Sequence, residues 1–293
     1  MTDSEGPPLV ASVVSWYGEH ARDLPWRRPG TSPWGVLVSE MMLQQTPVAR
    51  VRPVWESWLQ RWPSAPDLAG DSPGEAVRAW GKLGYPRRAL RLYEAAVAIT
   101  ARYDAAVPAD VPSLLALPGV GQYTARAVSC FAFGHRHAVV DTNVRRFIGR
   151  AVRGKAMAQP SAGEAAFVES LLPAQPVQAA RFSVAAMELG ALICTARGPD
   201  CPRCPVRDQC AWQLAGRPPY DGPVRRAQQF TGTDRQVRGL LLDVLREAPG
   251  AVPAGALEGV WADAVQRDRA LTGLITDGLA VAAADGGYAL PAS

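Results

Sequence analysis

Over about the first 215 residues, apolar positions recur at three- and four-residue intervals, the spacing that lines one face of an α-helix. Leu37, Met41, Gln44 and Val48 form one such row, and Leu90, Tyr93, Val97 and Thr100 form another. Prolines at 47, 53, 63, 66, 73, 86, 108, 112 and 118 punctuate these rows. Proline has no backbone N–H to give to a helix, so this spacing predicts short helices. Strand-like alternation is scarce, and the pattern predicts an all-α domain over residues 1–216.

Residues 217–233 read as a linker, with Pro218, Pro219, Gly222, Pro223 and Gly232 and few large apolar side chains. The helical pattern then restarts. Val237, Leu240, Leu241, Val244 and Leu245 make an apolar stripe, followed by a short helix over 254–260 and a longer one over 262–277. Two short strands around Asp285-Gly286-Gly287 close the chain. Residues 234–293 therefore form a small α+β module. Three helices and a hairpin match a winged-helix unit, and simple α+β packing gives the same pattern.

Composition adds limits. The chain is 48% hydrophobic and 20% charged, as expected of a globular protein with a sizeable core. Its longest apolar runs, such as 189–194, are too short to span a membrane, and the acidic, Pro-bearing start does not resemble a secretory leader. A cytoplasmic protein is expected. The net charge of +4 leans towards a polyanionic partner. Arg145, Arg146, Arg150, Arg153 and Lys155 form one basic cluster, and Arg87, Arg88 and Arg91 another. Of the 31 basic residues only Lys82 and Lys155 are lysines. Arginine suits bidentate phosphate contacts, but a GC-rich genome produces the same bias.

Cys194, Cys201, Cys204 and Cys210 follow a Cys-x6-Cys-x2-Cys-x5-Cys spacing. In a cytosolic chain such a group points to metal rather than to disulfides. Structural zinc more often uses two short Cys-x2-Cys pairs. One short pair with two longer arms suits a [4Fe–4S] cube held by four thiolates. Pro202 and Pro205 stiffen the loop, and Arg197, Arg203 and Arg207 offset the charge of the thiolates. Cys130 stands alone in an apolar helix and reads as core.

Leu117-Pro118-Gly119-Val120-Gly121 separates two helical segments. Gly119 and Gly121 leave the backbone bare at a helix N-terminus, where N–H groups can hold a phosphate. Gln122, Tyr123 and Thr124 follow directly. Asp141 ends the run Ala138-Val139-Val140 and precedes Thr142-Asn143. It is either a helix N-cap or a functional carboxylate. Glu40 lies among Leu37, Val38, Met41, Met42 and Leu43, so it either reaches a partner or is desolvated with a raised pKa. Two carboxylates in different environments can divide acid and electrostatic roles in glycosidic cleavage.

Together these segments resemble the helix-hairpin-helix, iron–sulfur DNA glycosylases, and most closely the adenine DNA glycosylases of the MutY family. The resemblance runs from about Leu9 to Trp212 and rests on Leu24-Pro25-Trp26-Arg27, Ser39 to Thr46, Gly84-Tyr85, Leu117 to Thr124, Asp141-Thr142-Asn143 and the four cysteines. It implies a mainly α fold, a six-helix barrel plus an iron–sulfur domain. It implies a monomeric enzyme that flips adenine out of a mispair in double-stranded DNA, at the nucleoid and off any membrane. By this likeness Glu40 is the acid at the adenine ring and Asp141 faces the sugar, with Tyr123 and Asn143 supporting the transition state. Arg22, Leu24, Trp26 and Arg27 would line the base pocket. Gln45 and Tyr85 would wedge into the duplex beside the opposing base, with Gln44 and Thr46 nearby.

Two departures shape the expectation further. In the related endonuclease III branch a lysine occupies the position of Tyr123 and attacks the sugar as an amine. Without it, base removal should stop at an abasic site, which argues against a glycosylase–lyase. Family members also usually carry a larger C-terminal domain, similar to the NUDIX fold, that reads 8-oxoguanine in the opposite strand. Residues 234–293 do not resemble that domain, so discrimination for 8-oxoguanine is expected to be modest. A non-catalytic iron–sulfur DNA-binding regulator is the alternative from another class, and it would need neither Glu40 nor Asp141.

Overall fold

The computed structural model describes residues 8–220, 222 and 229–292, so residues 221 and 223–228 of the expected linker lie outside the described residues. The chain forms two compact units that interleave along the sequence. None of the described helices is long and apolar enough to cross a membrane.

The first unit comprises Met1–Val36, Ala109–Leu115 and Val120–Val224. Its helices are α1 (Pro8–His20), the start of α2 (Pro33–Leu43), α7 (Val111–Leu115), α8 (Gln122–Phe133), α9 (Thr142–Ala151), α10 (Glu164–Leu171), α11 (Pro176–Leu192) and α12 (Ala211–Leu214). Helix α11 is the spine, started by Pro176, whose missing N–H costs nothing in a first turn. It packs on α1 and α9 through Val13, Phe147, Phe182 and Leu189, all essentially without solvent contact. Gly190 makes the α9 contact possible: a β-carbon there would lie 2.6 Å from the Asn143 carbonyl oxygen. Cys130 is buried beside Ala127 and Val139, as expected of a core thiol.

The second unit comprises Leu37–Pro108, Ala116–Gly119 and Arg225–Ser293. It holds the rest of α2, α3 (Val48–Arg61), α4 (Ala65–Ala69), α5 (Pro73–Trp80), α6 (Arg87–Arg102), α13 (Asp234–Glu247), α14 (Ala254–Glu258) and α15 (Ala264–Thr276), with strands β1 (Val281–Ala282) and β2 (Tyr288–Ala289). Trp58 meets Trp62 and Trp80 edge-on, with centroids 4.7 and 5.9 Å apart. Ser64 and Asp67 form a capping box on α4, and Ser72 accepts from Glu75 to cap α5.

Both helical rows need correction. The first crosses a break, because α2 ends at Leu43 and a turn precedes α3. The second marks the wrong side of α6: Val97 and Thr100 are exposed, and Leu92, Ala95, Ala96 and Ile99 form the buried face. Alanines carry that face because close helix packing rewards small side chains, which a search for large apolar residues passes over.

Residues 234–292 follow the expected order of helix, helix, helix and hairpin. Strands β1 and β2 pair antiparallel, and a bridge between Val252 and Tyr288 adds a third edge between α13 and α14. That is the element order of a winged helix. The buried stripe of α13 is Val237, Leu241, Leu242 and Leu245, with Leu240 left exposed. The module docks on α5 and α6. Arg246 donates to the Val77 carbonyl at 3.1 Å, Arg78 donates to the Arg246 carbonyl, and the Gly74 amide donates to the Pro291 carbonyl at 2.8 Å. Lys82 pairs with Asp243 and Arg87 with Asp277.

Candidate active site

Asp141 sits where a carboxylate can serve two purposes. Its backbone is extended and its Oδ1 accepts from the Val144 amide at 2.7 Å, so it is the N-cap of α9. Its Oδ2 accepts from the Asn143 side-chain amide at 2.7 Å. Burial raises its pKa above the usual carboxylate range, against the opposing pull of the Val144 and Asn143 donors. Asn143 is held in turn by Arg146, which donates to the Asn143 Oδ1 at 2.8 Å and to the Gly190 and Cys194 carbonyls, both at 2.6 Å. A continuous chain of contacts thus joins Cys194 to Asp141.

Tyr123 lies in the first turn of α8, partly buried against Ala127, Cys130 and Val139. Gly121 caps that helix with extended backbone, and a β-carbon there would meet open space. Gly119 differs. At φ +77° it occupies the left-handed region, and a β-carbon would lie 2.6 Å from the Arg91 Cβ and 2.9 Å from the Met41 Cε.

Leu24 and Trp26 are buried around the short turn Pro25–Arg27. Arg22 and Arg27 both converge on Glu188, whose side chain has no solvent exposure. Arg22 donates through Nε at 2.6 Å and Nη2 at 2.8 Å, and Arg27 through Nη1 at 2.6 Å. Burial alone would favour the neutral acid, but the hydrogen bonds and charges of Arg22 and Arg27 outweigh it and hold the Glu188 carboxyl at about 2. Glu188 was not anticipated. The signal was present, a glutamate between Met187 and Leu189 in an apolar helix, the same oddity that marks Glu40.

Glu40 belongs to the second unit and Asp141 to the first. Glu40 is buried on α2, flanked by fully buried Met41 and Met42. Gln44 to Thr46 form the turn after α2, and Gln45 is exposed with φ +57°. Tyr85, also exposed, has φ +49°.

Cys194, Cys201, Cys204 and Cys210 are free thiols lining one cavity with Phe147, Arg150, Ile193, Val206, Arg207 and Trp212. Among the described residues, no three of His, Cys, Asp and Glu gather closely enough to hold a single metal ion. Buried Arg150 donates to the Cys194 Sγ at 3.4 Å and the Thr195 carbonyl at 2.7 Å, and stacks on Trp212. Burial pushes the Cys194 thiol up, against Arg150, and the Cys204 thiol up to about 11.

The basic clusters divide: Arg88, Arg145, Arg146 and Arg150 are partly or fully buried in internal contacts, whereas Arg87, Arg91, Arg153 and Lys155 are exposed. Arg145 pairs with Glu164, Arg146 and Arg150 bind carbonyls, and Arg153 lies over Phe167. Arg91 pairs with Glu94.

A family model for HhH-GPD superfamily base excision DNA repair proteins matches residues 38–172. An adenine DNA glycosylase of Mycolicibacterium smegmatis is 56% identical over 280 residues, covering 95% of this chain and 94% of that one. That of Mycobacterium tuberculosis is 55% identical, covering 98% and 95%. Among solved structures, a thermostable thymine-DNA glycosylase matches with TM-score 0.65 and 28% identity, over 70% of this chain and 95% of that chain. An endonuclease III–DNA complex matches with TM-score 0.60 and 21% identity, a likeness of fold. The chain belongs to the adenine DNA glycosylase family, within the HhH-GPD superfamily of base excision DNA repair proteins.

Proposed function

We propose that this enzyme, acting as a monomer at the bacterial nucleoid, excises adenine mispaired with 8-oxoguanine or guanine in double-stranded DNA and leaves an abasic site. The carrying observation is identity above half to adenine DNA glycosylases along nearly the full length of both chains.

A base inside a duplex must be extruded before its glycosidic bond can be cut. Gln45 and Tyr85 fill the gap, helped by Gln44 and Thr46, and Gly119 and Gly121 let the hairpin backbone approach a phosphate. Leu24 and Trp26 wall the base pocket, and Arg22 and Arg27 are fixed there by Glu188. Adenine leaves badly as an anion, so Glu40 protonates its ring as the general acid. The sugar gains oxocarbenium character, which the Asp141 carboxylate stabilises, with Asn143 and Tyr123 orienting it. Tyr123 offers no amine to form a Schiff base, so the strand stays intact.

The donor set suits a [4Fe–4S] cluster. Four thiols face one cavity without closing on a single ion, and Arg146, Arg150 and Arg207 lie beside them to offset thiolate charge. When bound, the cluster would cross-link the loop 194–210 and hold it rigid. Single-turnover excision on a duplex with adenine opposite 8-oxoguanine tests the activity, and borohydride trapping tests the product. An inert protein, or efficient trapping, overturns the respective part.

A further inference from the structure

Arg88, the second residue of α6, has no carboxylate among its hydrogen-bond partners. Its Nη1 donates to the carbonyls of Met41 at 2.9 Å, Met42 at 3.1 Å and Gln44. Its Nη2 donates to the Thr46 Oγ1 at 3.0 Å and the Gly84 carbonyl at 3.1 Å. The guanidinium lies over the rings of Trp80 and Tyr85, 5.2 and 5.3 Å from their centroids. The Thr46 hydroxyl passes a hydrogen bond to the Leu83 carbonyl at 3.2 Å, and the Trp80 indole N–H donates to the Gly84 carbonyl at 3.0 Å. Burial lowers the Arg88 pKa to about 10, so it is charged at neutral pH.

One side chain therefore satisfies the orphan carbonyls at the end of α2 and grips both the turn carrying Gln45 and the loop carrying Tyr85. Those two residues are also in the left-handed region, which costs a side-chain-bearing residue free energy unless its surroundings enforce it. The two terminal nitrogens of the guanidinium, with four hydrogens in one plane, share these five oxygens, while Nε is buried without a hydrogen-bond partner. An ammonium has three hydrogens on one atom and cannot span both groups.

We propose that Arg88 is the positioning residue that presents Gln45 and Tyr85 to the duplex together, so that base extrusion depends on it although it touches neither the flipped base nor its sugar. The proposal rests on the wedge role given above to Gln45 and Tyr85. The full-length protein is tested with 2-aminopurine beside the target adenine to read extrusion, alongside single-turnover excision and circular dichroism melting. Arg88→Met is expected to lower extrusion and excision by about tenfold or more, as both strained turns relax. Arg88→Lys should fall between wild type and Arg88→Met, and provides the measurement if Arg88→Met does not fold.

In a Gln45→Ala/Tyr85→Ala background, either Arg88 substitution should add less than about threefold, because its route to the DNA is already gone. A merely structural role would add its full effect there, and that result overturns the proposal. Wild-type extrusion by both folded Arg88 variants, with a defective Gln45→Ala/Tyr85→Ala protein, overturns the positioning role alone. Wild-type extrusion by Gln45→Ala/Tyr85→Ala overturns the wedge assignment, and the proposal with it.

Discussion

Asp141 is a helix cap by geometry and, in our proposal, the carboxylate that stabilises the sugar cation; one substitution separates the two. Asparagine caps a helix about as well as aspartate. In Asp141→Asn the amide oxygen can keep the 2.7 Å bond from the Val144 amide, so α9 should keep its start. Stability should change by less than about 1 kcal/mol, whereas Asp141→Ala, which loses the cap, should cost about 0.5–2 kcal/mol. Charge at the sugar is lost in both. Removing one preorganised electrostatic group lowers the chemical step by about 100- to 1,000-fold, or about 3–4 kcal/mol. The sign of the pH dependence follows from burial, which raises the folded pKa of Asp141. Both states are protonated below the unfolded value, and the folded protein loses stability as pH rises through the folded value. Wild type should therefore lose stability relative to Asp141→Asn as pH rises across the acid range, while its excision rate rises as the carboxylate ionises. Urea titrations from pH 4 to 7 and single-turnover excision measure both. A folded Asp141→Asn protein that excises adenine at the wild-type rate would refute the electrostatic role and leave Asp141 a cap.

Glu188→Gln should destabilise the fold by less than the roughly 3–5 kcal/mol of a fully buried pair, because Arg22 and Arg27 lose a buried carboxylate but are themselves partly solvated. Since its pKa is depressed to about 2, wild-type stability should also fall as pH drops from about 4.5 towards 2, seen in acid titrations of unfolding. Gly119→Ala should destabilise the hairpin and impair DNA binding, while Gly121→Ala should melt at nearly the wild-type temperature, since only the first lacks room and has a positive φ. Iron analysis of anaerobically purified protein should find about four irons, falling in Cys210→Ser; stoichiometric zinc would replace the cluster in our reading. Preference for 8-oxoguanine over guanine opposite adenine should be modest, since Arg267 and Arg269 of α15 are engaged with the Glu258 and Trp261 carbonyls and with Asp234. A large preference that vanishes in a truncation near Gly232 would assign lesion reading to the tail.

The helical punctuation was legible because it depends on local chemistry. The prolines between the short helices and the Asp285-Gly286-Gly287 turn act within a few residues of where they stand. The C-terminal module was readable almost element by element for that reason. Burial was less so. The rows at 37–48 and 90–100 counted large apolar side chains, but α6 buries a face of alanines, and α2 stops where the Gln44 turn begins. Which face is covered depends on neighbours far along the chain, and a single sequence holds no record of them.

The candidate site divides along the same line. Residues proposed to touch the substrate sit in dense local motifs, Ser39 to Thr46 and Leu117 to Thr124, which stand out in the sequence. Those that hold them in place were misread. Arg146 and Arg150 counted as a polyanion-binding cluster, yet they bind carbonyls of the cysteine loop. Arg88 counted towards another, yet it reaches five oxygens of two turns, four of them backbone carbonyls. A carboxylate partner leaves a letter in the sequence that can be paired with an arginine; a backbone carbonyl leaves none, since every residue has one. Arginine that serves as an internal hydrogen-bond hub is therefore invisible to charge counting. Charge counting thus overstates what Arg88, Arg146 and Arg150 can offer a phosphate, and leaves the exposed Arg87, Arg91, Arg153 and Lys155 as the cluster members that face solvent.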